Sequence, residues 1–119
     1  FIRLLKTDPK ADQLENLVAL HLLRRYGFND RVFFYRRDVE VDFYLPDEET
    51  AIQVCVKLAT DPKTLEREVD ALEKLSKELP VKRCIIVTME EERTIESNGR
   101  TIEVVPVWKW LLTEASGKQ

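Results

Sequence analysis

The hydrophobic residues change their spacing along this chain, and that change limits the folds it can adopt. Leu14, Val18 and Leu22 recur at the spacing of a helix face. Val41 and Phe43 instead alternate with polar neighbours, which is the period of a strand. Because helices and strands with such faces bury them against each other, the sequence predicts an α/β domain.

The predicted elements follow one another in the order α-β-β-β-α-β-β-α. The first helix starts at Asp8-Pro9, a capping acid followed by proline, or at Asp12, which forms a capping-box-like pattern with Glu15. It ends at about Tyr26, before Gly27. The other segments are strands at 31–37, 39–45, 51–58, 83–89 and 102–105, a helix from 61 to 80 and a closing helix in "VPVWKWLL". Three strands, a crossover helix and a further strand predict a mixed central sheet flanked by helices.

Two details of the later elements are specific enough to test. Residues 97–99, "SNG", are typical of a hairpin turn. In the closing helix we expect Trp108 and either Leu111 or Leu112 to pack inward.

The composition restricts the class of protein. A chain of 119 residues with 44% hydrophobic and 34% charged residues suits one folded domain with one core. Since no apolar run approaches the ~20 residues that cross a bilayer, we expect no membrane association. The amino-terminal stretch becomes charged by Arg3 and Lys6 and so does not resemble a signal peptide, which favours a cytoplasmic location. The chain begins at Phe1, so we expect residues 1–119 to be a domain excised from a longer protein. Cys55 and Cys84 lie in apolar runs, which predicts buried, reduced thiols.

The charges are unevenly distributed. A net charge of −3 argues against a surface that attracts DNA everywhere. Between residues 21 and 37, however, Asp30 is the only acid, and the stretch contains five arginines: Arg24, Arg25, Arg31, Arg36 and Arg37. This cluster is either a solvated surface or a site for phosphates.

The stretch "VEVDFYLPDEETAIQVCVKL", residues 39–58, could carry chemistry. A metal-dependent phosphodiesterase needs carboxylates around Mg²⁺, because hard cations take oxygen ligands. Glu15 on the first helix, Asp42 on the second strand and a Glu or Gln on the third strand could converge there. A lysine two residues further on would lie on the same face and stabilise charge at the phosphate.

Five segments together resemble a known family: "LENLVALHLLRRYGF", "VEVDFYL", "IQVCVKL", "EREVDALEKL" and "VPVWKWLL". They resemble the carboxy-terminal domain of unknown function of prokaryotic AAA-type ATPases. That domain is similar to the PD-(D/E)XK nuclease fold, particularly the archaeal Holliday-junction resolvases. The resemblance covers about Leu14 to Leu112. It implies a restriction-endonuclease-like, three-layer domain from the C-terminus of a longer ATPase.

The resemblance also implies a site. Glu15 and Asp42 would bind Mg²⁺ or Mn²⁺, and Gln53 takes the Glu/Gln position. Cys55 stands where the family has its lysine, which marks the site as degenerate. Lys57 lies two residues further along the strand, roughly 6.6 Å away, and would have to replace that lysine. The catalytic set would then be Asp42, Gln53 and Lys57.

Both site carboxylates also have structural explanations. Asp42 could be a solvent-facing acid paired with Arg36 or Arg37. Glu15, if it lies in the first helical turn, could act only on the helix dipole.

Three functions therefore stay open. The first is a nuclease-like domain without catalysis that contacts DNA, or regulates the ATPase, with Arg24, Arg25, Arg36 and Arg37 on phosphates. The second is an active Mg²⁺- or Mn²⁺-dependent endonuclease. The third is a protein-interaction domain that docks on its own ATPase domain or another partner, which the acidic isoelectric point favours. The chain has no Gly-rich phosphate loop, so ATP hydrolysis would belong to a different domain.

Overall fold

The computed structural model describes residues 9–26, 33–35, 41–57 and 62–117, with the side chains of 13–26, 41–57 and 62–113. The chain forms three helices and six strands within these ranges. In chain order they are α1 Pro9–Tyr26, β1 Phe33–Tyr35, β2 Val41–Leu45, β3 Thr50–Val54, α2 Pro62–Glu78, β4 Arg83–Thr88, β5 Arg93–Ser97, β6 Arg100–Pro106 and α3 Val107–Gly117.

The strands form one mixed sheet in the order β1-β2-β3-β4-β6-β5. β3, β4 and β6 run parallel to one another at the centre, whereas β1, β2 and β5 pair antiparallel at the two sides. The α/β class and the mixed sheet are therefore confirmed.

Helices cover both faces of the sheet. Alternate residues of β4 point to opposite cores, because strand side chains alternate. Cys84 and Ile86 pack with Leu72 and Leu75 of α2, whereas Ile85 and Val87 pack with α1 and α3. This explains why the β4 sequence is apolar throughout: both of its faces are covered.

The predicted order lacks one strand. β5 was not predicted because its sequence, "RTIES", has one apolar residue, Ile95, and is mostly exposed. An edge strand of this kind carries little hydrophobic pattern, and charges on it discourage pairing with other chains. The hairpin turn between β5 and β6 is confirmed: Asn98 and Gly99 both have positive φ, at 51° and 77°.

The packing of α3 also differs from the prediction. Trp110 packs into the core while Trp108 and Leu112 are exposed. Because α3 begins at Val107, residues 107, 110 and 111 share its inner face, and Val107 and Leu111 contact the same core as Trp110. The inward position of Leu111 is therefore confirmed and that of Trp108 is wrong. Within the described residues, none of the helices is long and apolar enough to span a membrane.

Candidate functional site

The antiparallel strands β2 and β3 come apart at the position where the sequence predicts the site. Their backbone register runs from Leu45↔Thr50 to Phe43↔Ile52. Beyond that pair, two side chains make the connections between the strands. The backbone N–H of Val54 donates to Asp42 Oδ2 at 2.8 Å, and the N–H of Asp42 donates to Gln53 Oε1 at 2.9 Å.

A bulge in β2 places Asp42 in this gap. Phe33 of β1 pairs with Tyr44 and Tyr35 pairs with Val41, so two steps along β1 match three along β2. β2 therefore contains one extra residue, as in a β-bulge, which redirects side chains. Val41 accordingly packs in the same core as Tyr44, on the α2 side of the sheet. The sequence had predicted that Val41 shares a face with Phe43; the bulge overturns that prediction.

The three predicted oxygen donors Glu15, Asp42 and Gln53 are all buried. The alternative in which Asp42 faces solvent is therefore wrong, and its proposed partners Arg36 and Arg37 lie outside the described residues. Glu15 lies in the second turn of α1, since the helix begins at Pro9. The explanation that Glu15 acts only on the helix dipole therefore has less support, because the dipole acts mainly on charges in the first turn.

The arrangement of Asp42 and Gln53 fits backbone bonding better than metal binding. One carboxylate oxygen and the amide oxygen accept from backbone N–H groups of the neighbouring strand. Among the side chains that the structure describes, no three His, Cys, Asp or Glu residues form a group that could hold a metal. A hard divalent cation prefers several charged oxygens, and Gln53 adds a neutral one. Metal binding by Glu15 and Asp42 stays a prediction.

Cys55, which stands where the resemblance to nucleases would require a lysine, is a neutral thiol. Cys55 is buried on the α2 side, and its Sγ donates to the backbone carbonyl of Lys57 at 3.4 Å. Burial is the largest cause that raises the pKa of Cys55 to about 11, and the carboxylates of Glu68 and Glu91 contribute to this increase. Cys55 therefore supplies neither a positive charge nor a thiolate near neutral pH.

Lys57 does not lie on a strand. β3 ends at Val54, so the alternation of a strand does not extend to residue 57, which is exposed. The inference that placed Lys57 on the face of Gln53 therefore loses its geometric basis, and its catalytic role stays a prediction. Sequence analysis also missed Glu68 and Glu91, which act on Cys55 from α2 and from the segment after β4. Their spacing along the chain contains no signal for this proximity.

The arginines predicted to contact nucleic acid differ in their surroundings. Arg24 is exposed in the last turn of α1. Arg25 is half-buried, and its guanidinium lies 5.7 Å from the centroid of the Tyr26 ring, within cation–π range. Of the predicted set, Arg36 and Arg37 lie outside the described residues.

The sequence that forms this geometry matches a known protein family. Residues 12–110 match the family described as Domain of unknown function (DUF4143). The chain belongs to this family. The DUF4143 match extends from α1 into α3, so it contains Glu15 of α1 and the gap between β2 and β3 with Asp42 and Gln53, which Cys55 follows.

An archaeal protein provides a second comparison for this DUF4143 domain. The chain is 42% identical over 114 residues to "Uncharacterized protein MJ1544" of Methanocaldococcus jannaschii. The alignment covers 87% of this chain and 25% of that protein, so the chain spans about a quarter of its curated relative's length. No solved structure matches the chain.

Proposed function

We propose that this DUF4143 chain is a nuclease-like domain without cleavage activity. It serves as a DNA-contacting or regulatory module of a longer AAA-type ATPase in the cytoplasm. The observation that carries the proposal is the pair of hydrogen bonds across the gap between β2 and β3. Asp42 and Gln53 complete the sheet there by accepting from backbone N–H groups at 2.8 and 2.9 Å.

Two further observations support a domain without catalysis. A phosphodiesterase needs a cation near the scissile phosphate to stabilise developing charge. Where the resemblance to nucleases implies a lysine, this chain has Cys55, and the raised pKa of its thiol keeps it neutral. The nearest following lysine, Lys57, is exposed beyond the end of β3.

The link to an ATPase rests on the resemblance of the five sequence segments. It is consistent with a relative of which this chain spans only a quarter. DNA contact is supported by exposed Arg24 and by Arg25, whose charge lies beside an aromatic ring.

A protein-interaction domain is the second candidate function. The exposed apolar side chains of the helices favour it, because large apolar groups gathered on one surface mark contact sites. Trp108 and Leu112 on α3 are 57% and 64% exposed, and Leu17 and Leu20 on α1 are also exposed.

Calorimetric titration with Mn²⁺ tests the proposed lack of catalysis. We expect no stoichiometric binding at millimolar metal, because the described oxygens of the gap bind backbone donors. The matched variants are Asp42→Ala, which removes the carboxylate, and Asp42→Asn, which keeps an acceptor for Val54. Stoichiometric binding that disappears in both variants would contradict the proposal and favour the active endonuclease.

DNA binding separates the two candidate functions. If the domain contacts phosphates, fluorescence anisotropy with duplex DNA should show an affinity that falls steeply as salt rises. Arg24→Ala should weaken that affinity, whereas Lys74→Ala, on the opposite face of the sheet, should not. Absence of binding at low salt would exclude DNA contact and leave regulation of the ATPase or protein interaction as the function.

A further inference from the structure

The exposed apolar residues are concentrated on one layer of the molecule. Among the described side chains, five large hydrophobic residues are exposed, and four of them belong to α1 and α3: Leu17, Leu20, Trp108 and Leu112. α1 and α3 cover the same face of the sheet. His21 of α1 and Trp110 of α3 make an edge-on ring contact with centroids 5.0 Å apart, so the two helices are neighbours.

Along the outer face of α1, polar and apolar residues follow the same order in both directions of the helix. Directly opposite the buried side of the helix, four exposed residues follow one another at steps of four, three and four: Gln13, Leu17, Leu20 and Arg24. A polar residue therefore stands at each end of the stripe and the two leucines at its middle. A pattern with this symmetry matches an antiparallel copy of itself.

We propose that the outer surface of the α1–α3 layer is the interface of a homodimer, in which two copies of α1 cross antiparallel at Leu17 and Leu20. In a two-fold symmetric contact the same surface meets itself. With the axis midway between the leucines, Leu17 packs against the partner's Leu20, and the symmetry repeats this contact.

The polar ends of the stripe set the direction of the crossing. In the antiparallel arrangement, Gln13 and the partner's Arg24 lie level with each other, both about 8 Å along the helix from the axis. The amide oxygen of Gln13 can accept from the guanidinium there, on each side of the axis. A parallel arrangement would instead place the two copies of Arg24 side by side, with like charges in contact.

Leu17 and Leu20 alone are too small a surface for a stable interface, and exposed residues of α3 enlarge it. A specific interface buries roughly 800 Å² on each partner, with aromatic residues enriched at its centre. Trp108 and Leu112 lie one helical turn apart on α3. Lys109 and Thr113, on the other side of this helix, border a cavity with residues of β5 and β6. Trp108 and Leu112 therefore lie on the side of α3 away from β5, and they are exposed on the same layer as Leu17 and Leu20.

A charge cycle tests this interface by sedimentation equilibrium in the absence of DNA. In the 119-residue chain we expect Gln13→Arg to weaken dimerisation roughly tenfold, because it puts like charges opposite each other twice. Adding Arg24→Glu to that variant turns both repulsions into ion pairs, so the double variant should dimerise at least as tightly as the parent chain. Leu20→Glu should give a monomer.

Lys74→Glu is the matched control, since Lys74 is exposed on α2 at the opposite face of the sheet. It should leave the dissociation constant unchanged, and circular dichroism should show every variant folded. A parent chain that stays monomeric at millimolar concentration overturns the proposal. A double variant no tighter than Gln13→Arg alone overturns the antiparallel crossing.

The dimer does not depend on the proposed lack of catalysis or on DNA contact. Arg24 belongs to both the proposed DNA-binding surface and the proposed dimer interface, and the variant Gln13→Arg distinguishes the two proposals. This substitution adds positive charge to α1, so it should strengthen DNA binding at that surface while it weakens the dimer. The two proposals can therefore fail separately.

Discussion

Asp42 shows how a residue that fits a catalytic motif can have a structural role. Its carboxylate accepts the N–H of Val54 where the backbone ladder of β2 and β3 has ended. A buried N–H without an acceptor costs roughly 1–3 kcal/mol, so the position requires a short side chain with an oxygen. Gln53 makes the reciprocal connection to the N–H of Asp42.

This role predicts different effects for two substitutions of Asp42. Asp42→Asn keeps an oxygen for Val54 and should change the free energy of unfolding by about 1 kcal/mol or less. Asp42→Ala leaves the N–H of Val54 buried without its acceptor and should cost about 1–3 kcal/mol. Urea denaturation of both variants measures the difference. Equal losses would show that the charge of Asp42, rather than its oxygen as an acceptor, stabilises the fold.

At the scale of the element, polar contacts hold the turn of the β5–β6 hairpin against α2 and the segment before β4, whereas β6 itself pairs with β4. Ser97 Oγ and Asn98 Nδ2 donate to Glu73 Oε2 on α2, and Arg100 donates to the carbonyl of Val81 at 2.8 Å. A hairpin with one apolar residue in its outer strand depends on such contacts and on its turn. Two consecutive positive φ angles, at Asn98 and Gly99, form that turn.

The turn predicts a conformational cost at Gly99. A Cβ added there meets nothing within 4 Å, so the cost of Gly99→Ala comes from its φ of +77°. We expect about 1–2 kcal/mol of lost stability, since left-handed backbone is unfavourable for residues with a Cβ. Gly99→Asn should lose less, because asparagine tolerates this conformation. Thermal unfolding compares the two, and equal losses would exclude the backbone explanation.

At the scale of the whole molecule, the core on the α2 side contains three protonated groups with raised pKa values. Tyr44, Cys55 and Cys84 all belong to this core. Burial is the largest cause of the higher pKa in each case, and Glu49 adds to it at Tyr44. Deprotonation of these groups at alkaline pH should therefore lower the free energy of unfolding.

The pH dependence follows from the sign of these pKa shifts. The thiol of Cys55 titrates at about 11 in the folded chain and at about 9 when unfolded. Its contribution to stability is complete below about pH 9 and is lost as pH rises towards 11, because the unfolded chain then releases the proton more readily. Urea denaturation across this range, under reducing conditions, should show stability falling less steeply in Cys55→Ala than in the parent chain. Tyr44 and Cys84 are present in both proteins, so an unchanged slope would contradict the assignment to Cys55.

Local patterns predicted the elements that carry strong hydrophobic signals. α1 and α2 were predictable from their apolar spacing, their proline starts and the proline after α2, and β4 from its continuous apolar run. β5 was not predictable, because Ile95 alone forms no pattern. The sequence also predicted Glu15, Asp42 and Gln53 as converging oxygen donors; all three are buried, and their convergence on a metal stays a prediction.

Local patterns were therefore enough to predict the α/β class, the positions of the main helices and strands, and the hairpin turn. Those properties depend on short-range periodicity and on the conformational limits of single residues. The contacts of Asp42 and Gln53 were not predictable, because the bulge in β2 and the end of β3 at Val54 arise from pairing between strands. The exposure of Leu17, Leu20, Trp108 and Leu112 on one layer was not predictable either. It depends on how segments that are distant in the sequence pack together, which local spacing does not indicate.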